Sequence, residues 1–187
     1  MRTAIYGAAV LVAAAFATPL SAQSSADERL GELADAFYAY RLEQFGLTET
    51  ANGATEHAAH LPSVTAAAHR ERARRYADFL ARLDAIDRAK LTENARTNAL
   101  VLRTLLEAEI GDARFAEWEM PFDSDSNFWG YLAERSALDS VGEYDRYIAW
   151  LNDLPRYFSE QEANARAGLA RGFSVPRVTL TGRDASL

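Results

Sequence analysis

The stretch that decides the fold is Ser140 to Leu187, SVGEYDRYIAWLNDLPRYFSEQEANARAGLARGFSVPRVTLTGRDASL. It opens with a serine followed three residues later by a glutamate, Glu143, which is the spacing of a helical capping box. Apolar residues then recur at helical period. This spacing predicts a helix from Ser140 whose buried face is formed by Tyr144, Tyr147, Ile148 and Leu151.

The second half of this stretch contains a proline and a glycine that act as boundary signals. Pro155 is placed where a further helix can begin, because proline is tolerated in the first helical turn. That helix is predicted to run to about Arg171 and to stop at Gly172. The residues from Val175 to Leu180 then read as a strand-like or extended tail.

Three earlier segments have the same helical period, and each starts at a residue suited to capping. Their predicted ranges are Ser25 to Phe45, Ser63 to Ile86 and Thr92 to Ile110. The short link from Asp87 to Leu91 predicts that the second and third helices pack as an antiparallel pair. The predicted core stripes are Leu30, Leu33, Phe37 and Tyr40; Tyr76, Phe79, Leu80 and Leu83; and Ala95, Ala99, Leu102 and Leu106.

An irregular, aromatic segment follows the third helix, from Asp112 to Ser126. Large apolar side chains alternate there with acidic ones, and we expect them to pack on the helices, with the lining of a cavity as the alternative. A short helix is predicted at 126–132. The chain is therefore predicted to be all-α, a helical bundle of about five to six helices with an extended C-terminal tail.

The N-terminus has the layout of a secretory signal peptide. Arg2 precedes an uncharged apolar run from Ala4 to Ala17, and small residues with a proline follow. The predicted signal peptide is residues 1–22, with cleavage after Ala22 or, alternatively, after Ala17. The apolar run is shorter than the ~20 residues that a membrane span needs, which disfavours the alternative of a retained anchor. The protein is expected to be exported to the periplasm or the extracellular space, with no transmembrane helix after cleavage.

Charge and cysteine content exclude several functional classes. The formal net charge of −7 argues against a nucleic-acid partner, since phosphate binding needs a basic surface. The chain has no cysteine, which rules out disulfides, a thiol nucleophile and thiolate metal ligands. Stability must therefore come from core packing.

Three histidines are the obvious candidate metal ligands. His57 and His60 follow Glu56 in a segment rich in turn residues, and His69 comes shortly after. A zincin motif needs two histidines at i and i+4 on a helix with the glutamate between them, and neither condition holds here. We expect a solvated polar loop and assign no catalytic, cofactor-binding or metal-binding residue; a small metalloenzyme using the three histidines is the least favoured alternative.

A basic run follows Pro62, with arginines at positions 70, 72, 74 and 75. On a helix these side chains spread around the axis and do not line one face. We therefore predict a solvated surface with local ion pairs, and not a site for an anionic ligand.

The pattern from Ser140 to Val178 resembles the N-terminal region of the bacterial domain-of-unknown-function family 885. The residues that carry the resemblance are Tyr144, Tyr147, Leu151, Pro155, Phe158, Gln161, Asn164, Arg166, Gly168, Gly172 and the closing Pro176-Arg177-Val178. The earlier helices agree, through Phe37-Tyr38, Arg41-Leu42, the run from Arg82 to Asp87, and Leu91-Thr92.

The resemblance implies a larger exported protein, similar to zinc-dependent metallopeptidases of the His-Glu-x-x-His type. In such relatives the zinc motif lies well downstream of the segment that Ser140 to Val178 resembles. Residues 23–187 are then expected to be a truncated, helical N-terminal region, inactive alone, with zinc and any peptide substrate belonging to the missing C-terminal part. The alternative is a self-standing periplasmic helical binding or interaction module.

Overall fold

In the computed structural model, residues 18–49, 55–122 and 138–182 are described, and helices dominate them. Over these ranges there are four α-helices: α1 (Thr18–Gln44), α2 (Ala66–Asp84), α3 (Glu93–Phe115) and α4 (Val141–Ala170). Three short 3-10 turns accompany them, at Arg88–Lys90, Glu117–Glu119 and Arg177–Leu180. The all-α prediction is confirmed, but the described residues contain four helices and not five to six. The short helix predicted at 126–132 lies outside the described residues.

Helices α1, α2 and α3 form the main core. Their predicted stripes are confirmed, with Tyr40 and Leu80 half-buried and the other members fully buried. Phe37 packs edge-on against Tyr76 and Phe79, at ring-centroid distances of 6.0 and 5.6 Å. Helices α2 and α3 are joined by a short link and pack along each other, as the link length predicted.

Two of the predicted N-caps are confirmed, and two are wrong. Thr92 and Ser140 cap α3 and α4 by accepting hydrogen bonds from backbone N–H groups three residues on. Helix α2 is capped by Thr65, not Ser63, because the Ser63 hydroxyl is engaged with Glu160. Helix α1 begins at Thr18, so the spacing at Ser25 marks no helix start and the prediction placed this boundary too late.

The segment after α1, predicted as a loop, contains a small antiparallel β-pair, which corrects that prediction. Strand β1 (Leu47–Glu49) pairs with β2 (Thr55–His57), with Leu47 opposite His57 and Glu49 opposite Thr55. Gly46 then lies close to the chain at His60 and Pro62. The β-pair therefore turns the chain back toward the start of α2.

Helix α4 corrects two predictions at once. It is one continuous helix through Pro155, because contacts on both sides of the proline hold the same axis against the rest of the molecule. Its buried residues are Trp150, Tyr157, Gln161, Asn164 and Gly168. The predicted buried face is wrong: Tyr144 is 52% exposed, Ile148 53% and Leu151 37%, and only Tyr147 packs on the core.

The C-terminal end of α4 is fixed against the end of α3. Gly172 has a positive φ, and the N–H of Phe173 donates to the carbonyl of Gly168, which closes a Schellman motif at the predicted stop. Arg171 hydrogen-bonds the Phe115 carbonyl at 3.0 Å and pairs with the carboxylate of Glu119. These bonds fix the segment that follows α3.

The predicted extended tail is also wrong. Residues Arg177–Leu180 form a 3-10 turn. Thr179 donates to the carbonyl of Pro176 from both its backbone N–H, at 3.0 Å, and its hydroxyl, at 2.7 Å. A local turn satisfies these polar groups without the neighbouring strand that an extended segment would need.

Candidate functional site

A polar stripe on α4 holds the extended segment between β2 and α2, residues 61–64. The N–H of Leu61 donates to Asp153 Oδ2 at 2.8 Å, and Arg156 Nη2 donates to the Leu61 carbonyl at 2.8 Å. At the other end, the N–H of Val64 donates to Glu160 Oε2 at 2.7 Å. The backbone of this segment is therefore bound by side chains at helical spacing on one face of α4.

Asn164 completes this arrangement from a buried position. Its Nδ2 donates to the carbonyl of Val64 at 2.6 Å, so both backbone groups of Val64 are satisfied by α4. Beneath these bonds lies a second, small core formed by Leu61, Val64, Trp150 and Tyr157. The segment is fixed both by hydrogen bonds and by burial.

The charges of the stripe suit this role. A hydrogen bond from Arg156 lowers the pKa of Asp153. Burial alone would raise the pKa of Glu160, but hydrogen bonds from the Val64 N–H and from Arg156 outweigh it, and the pKa is lowered. Both groups are therefore ionised at neutral pH, and their bonds to the segment are charge-assisted.

A cavity of about 360 Å³ lies between α2, α3 and the segment that follows α3. Its volume is within the range of small-molecule sites. Four lining residues share one face of α2, at positions 69, 72, 73 and 76, and three share one face of α3, at positions 109, 112 and 113. The other lining residues are Glu117, Trp118, Met120, Pro121 and Phe122.

One wall of the cavity is a stacked pair of rings. His69 lies parallel to Trp118, with centroids 4.7 Å apart and an interplanar angle of 12°. Burial, reinforced by the nearby Arg72 charge, lowers the pKa of His69 from 6.5 to about 4, although a hydrogen bond with the Val64 backbone acts in the opposite sense. His69 is therefore neutral at physiological pH.

Four other titratable groups of the cavity have pKa values that respond to burial. Burial raises the pKa of Tyr76 to about 12 and raises that of Glu109. The pKa of Glu117 is raised by desolvation and by Asp112, with which its carboxyl group hydrogen-bonds. Burial lowers the pKa of Arg72, which donates from Nη1 to the Ser63 carbonyl at 2.9 Å.

The structure does not bring the three histidines together. His57 lies in β2 beside Trp150, with centroids 5.8 Å apart, while His60 is exposed in the following turn. The neighbouring Glu56 pairs with Arg146 at 3.1 Å. Within residues 18–49, 55–122 and 138–182, no group of three histidine or acidic side chains is arranged to hold a metal ion.

The basic run divides between surface and interior. Arg74 pairs with Glu71 and Arg75 with Asp78 on the exposed side of α2, as predicted for a solvated surface. The prediction is wrong for Arg72, which lines the cavity.

The aromatic segment is similarly divided. Helix α3 continues past its predicted end at Ile110 to Phe115, which is 68% exposed and so does not pack as expected. Trp118, Met120 and Phe122 are half-buried and line the cavity, which was the alternative prediction.

Residues 13–184 match the model of a family of bacterial proteins of unknown function, DUF885. The chain belongs to this family. The family resemblance predicted from the sequence is thereby confirmed. No curated protein and no solved structure matches the chain. Over the part of this DUF885 chain that the structure describes, no helix is long and apolar enough to cross a membrane.

Sequence reasoning missed most of the cavity of this DUF885 protein. Arg72 is predicted on the solvated surface and Tyr76 in the core stripe of the same helix, and no role is predicted for Glu109. Arg72 and Tyr76 are four residues apart on α2, and Glu109 lies opposite them on α3. This spacing indicates a shared site only once the register of the two helices is known. That register is a tertiary property, and spacing within one helix does not contain it.

Proposed function

We propose that this chain is the N-terminal helical part of an exported DUF885 protein that resembles zinc metallopeptidases, and that it does not carry the catalytic centre. Family membership and the signal-like N-terminus support the proposal. On this proposal, zinc and a peptide substrate are bound by a downstream part containing a His-Glu-x-x-His helix. Such a centre needs three metal ligands and a carboxylate base to activate water.

The observation that carries the proposal is an apolar stripe on the outer face of α4. We call it the α4 stripe; it consists of Val141, Tyr144, Ile148, Leu151, Pro155 and Phe158. Its members are spaced three and four residues apart, so they form one continuous face. From position 141 to 159 the one charged residue among the exposed positions is Asp145. A helix face of this kind is normally covered, because large exposed apolar patches mark interfaces.

The occupant that we propose for the α4 stripe is the remainder of the same protein. The chain would then act as a helical support beside the catalytic part. The segment of residues 61–64 would lie on the opposite side of α4 from that contact, because the polar residues of α4 that bind it face inward.

Activity and metal content test the catalytic half of this proposal. We expect the chain of 187 residues to hold no stoichiometric zinc and to cleave no peptide in a fluorogenic peptide library. We expect the longer product of the same gene to contain a His-Glu-x-x-His helix and to bind zinc. Replacing the histidines of that helix should abolish zinc binding. Peptide cleavage by the short chain, or a gene without that motif, would overturn the proposal.

Cysteine labelling tests the covering of the α4 stripe, since the chain has no cysteine of its own. Ile148→Cys should react rapidly with a maleimide in the short chain and slowly in the longer protein. Arg74→Cys, at an exposed position on α2, is the matched control and should react rapidly in both. Equal rates for Ile148→Cys in the two proteins would show that the stripe is not covered.

The second candidate is a self-standing periplasmic binding module. The observation that favours it is the complete core of α1, α2 and α3 together with a formed cavity. Residues 23–187 should then unfold cooperatively, remain monomeric and bind little of a hydrophobic dye. Aggregation and strong dye binding would instead favour the N-terminal part of a larger protein.

A further inference from the structure

The cavity between α2 and α3 contains a guanidinium group with unmet hydrogen-bonding capacity. Arg72 donates one hydrogen bond, from Nη1 to the Ser63 carbonyl, and it forms no ion pair among the described residues. A half-buried guanidinium has five N–H donors and loses hydration, so it is stabilised by a carboxylate partner. Arg156, on the polar face of α4, has such a carboxylate partner in Asp153, whereas Arg72 has none within the described residues.

The same cavity contains carboxyl groups whose cation contacts within the described residues are weak or absent, and Glu109 forms only a long ion pair with Arg41. The nearest charged nitrogen to Glu109 is Arg41 Nη2, at 3.9 Å, which is too long for a hydrogen bond. Asp112 and Glu117 lie close together, so that Asp112 adds to desolvation in raising the pKa of Glu117, and neither forms an ion pair within the described residues. These acids line the cavity together with Arg72, yet none is within ion-pair distance of it in the described part of the chain.

The rest of the lining is apolar and aromatic. Trp118, Met120, Pro121 and Phe122 form one wall, and the ring of Tyr76 lies on α2. A ligand that satisfies this lining carries a negative charge, a positive charge and an apolar group within about 360 Å³. Free amino acids with large apolar side chains have this chemistry.

We propose that this cavity binds a free amino acid with an apolar side chain. Arg72 binds its carboxylate, Glu109 and the Asp112–Glu117 pair bind its ammonium group, and the aromatic wall contacts its side chain. The site uses no metal and no residue of the α4 stripe. It is therefore independent of the proposed function.

Three probes with the same ring separate the charges. L-Phenylalanine carries both, phenethylamine carries the ammonium alone, and 3-phenylpropionate carries the carboxylate alone. In isothermal titration calorimetry with the purified chain, L-phenylalanine should bind at least about tenfold more tightly than either single-charge probe, since each charge-assisted contact is worth about that much. No binding of L-phenylalanine, or equal binding of phenethylamine, would overturn the proposal.

Variants then test each contact. Arg72→Gln should weaken L-phenylalanine binding by about ten- to a hundredfold and leave phenethylamine nearly unchanged, while Glu109→Gln should weaken both. Arg74→Gln is the matched control, because this arginine is exposed on the same helix, and it should bind as the wild type does. Arg72→Lys, checked for cooperative unfolding, retains the charge and should recover part of the affinity. Unchanged binding in a folded Arg72→Gln protein would refute the assignment.

Discussion

Gly168 lies where the backbone of α4 comes closest to the segment after α3, and replacing it should destabilise the fold. A Cβ atom at this position would lie 2.2 Å from the carbonyl oxygen of Glu119 and 2.8 Å from that of Phe173. Both neighbours are backbone atoms, so relief requires the helix and the segment to move apart. Overpacking of this kind costs about 1–3 kcal/mol, and more where the backbone cannot shift.

The same substitution has an opposing, favourable effect. Alanine in a helix interior is about 1 kcal/mol more favourable than glycine. Gly111 isolates that effect, because it lies inside α3 and its Cβ position meets no other described part of the chain within 4 Å. We expect Gly111→Ala to stabilise the protein by up to about 1 kcal/mol, and Gly168→Ala to destabilise it by about 1–3 kcal/mol.

Urea unfolding followed by circular dichroism measures both variants. The free energies of unfolding of the two variants should differ by about 1–4 kcal/mol, and their changes relative to the wild type should have opposite signs. Because the segment that contains Glu119 forms part of the cavity wall, Gly168→Ala should also weaken the binding of any ligand in the cavity. If both variants are equally stabilised, the close approach of α4 to Glu119 is wrong, and with it the placement of the cavity wall.

Three further predictions concern His69, the bound segment and the α4 stripe. The pKa of His69 is about 4 in the folded protein and about 6.5 in the unfolded chain, so the unfolded chain binds more protons between these pH values. The free energy of unfolding therefore falls by up to about 3 kcal/mol as the pH drops from 6.5 to 4. His69→Gln should remove this loss of stability between pH 7 and 4.5, whereas His60→Gln, the control at an exposed residue, should retain it. The same dependence of stability on pH for His69→Gln and wild type would contradict the prediction. Asn164→Ala removes the buried amide that donates to the Val64 carbonyl and should cost about 1–3 kcal/mol, against less than about 0.5 kcal/mol for Asn152→Ala on the exposed side of α4; equal costs by urea titration would argue against the bond. In the chain of 187 residues, Ile148→Gln should change stability by less than about 0.5 kcal/mol and Trp150→Ala should cost about 3–5 kcal/mol. A large loss for Ile148→Gln in thermal unfolding would place that residue in the core.

The sequence by itself determined the three helices of the main core. Leu30, Phe79 and Leu102 lie in stripes at helical spacing, and only one face of each helix can accept them all. Thr92 and Ser140 were readable as caps because a cap acts within one turn of its own helix. Family membership was also readable, since it depends on residues along the chain and not on contacts.

The boundary errors have a local cause. The pattern at Ser25 is a real capping-box spacing, but the helix continues through it. Helix α3 likewise passes through Gly111, because one glycine costs only about 1 kcal/mol and packing on α2 outweighs it. Turn and cap signals are weak individually, and tertiary contacts decide which of them is used.

Only the tertiary structure decided which face of α4 is buried and where the cavity lies. The helix has two candidate faces, one apolar with Ile148 and one mixed with Trp150, and hydrophobic period alone selected the wrong one. The mixed face is buried because Asp153, Glu160 and Asn164 satisfy the backbone of residues 61–64, a distant segment of the chain. Periodicity measures which side chains avoid water, whereas the choice between faces depends on hydrogen-bond partners that the fold brings together.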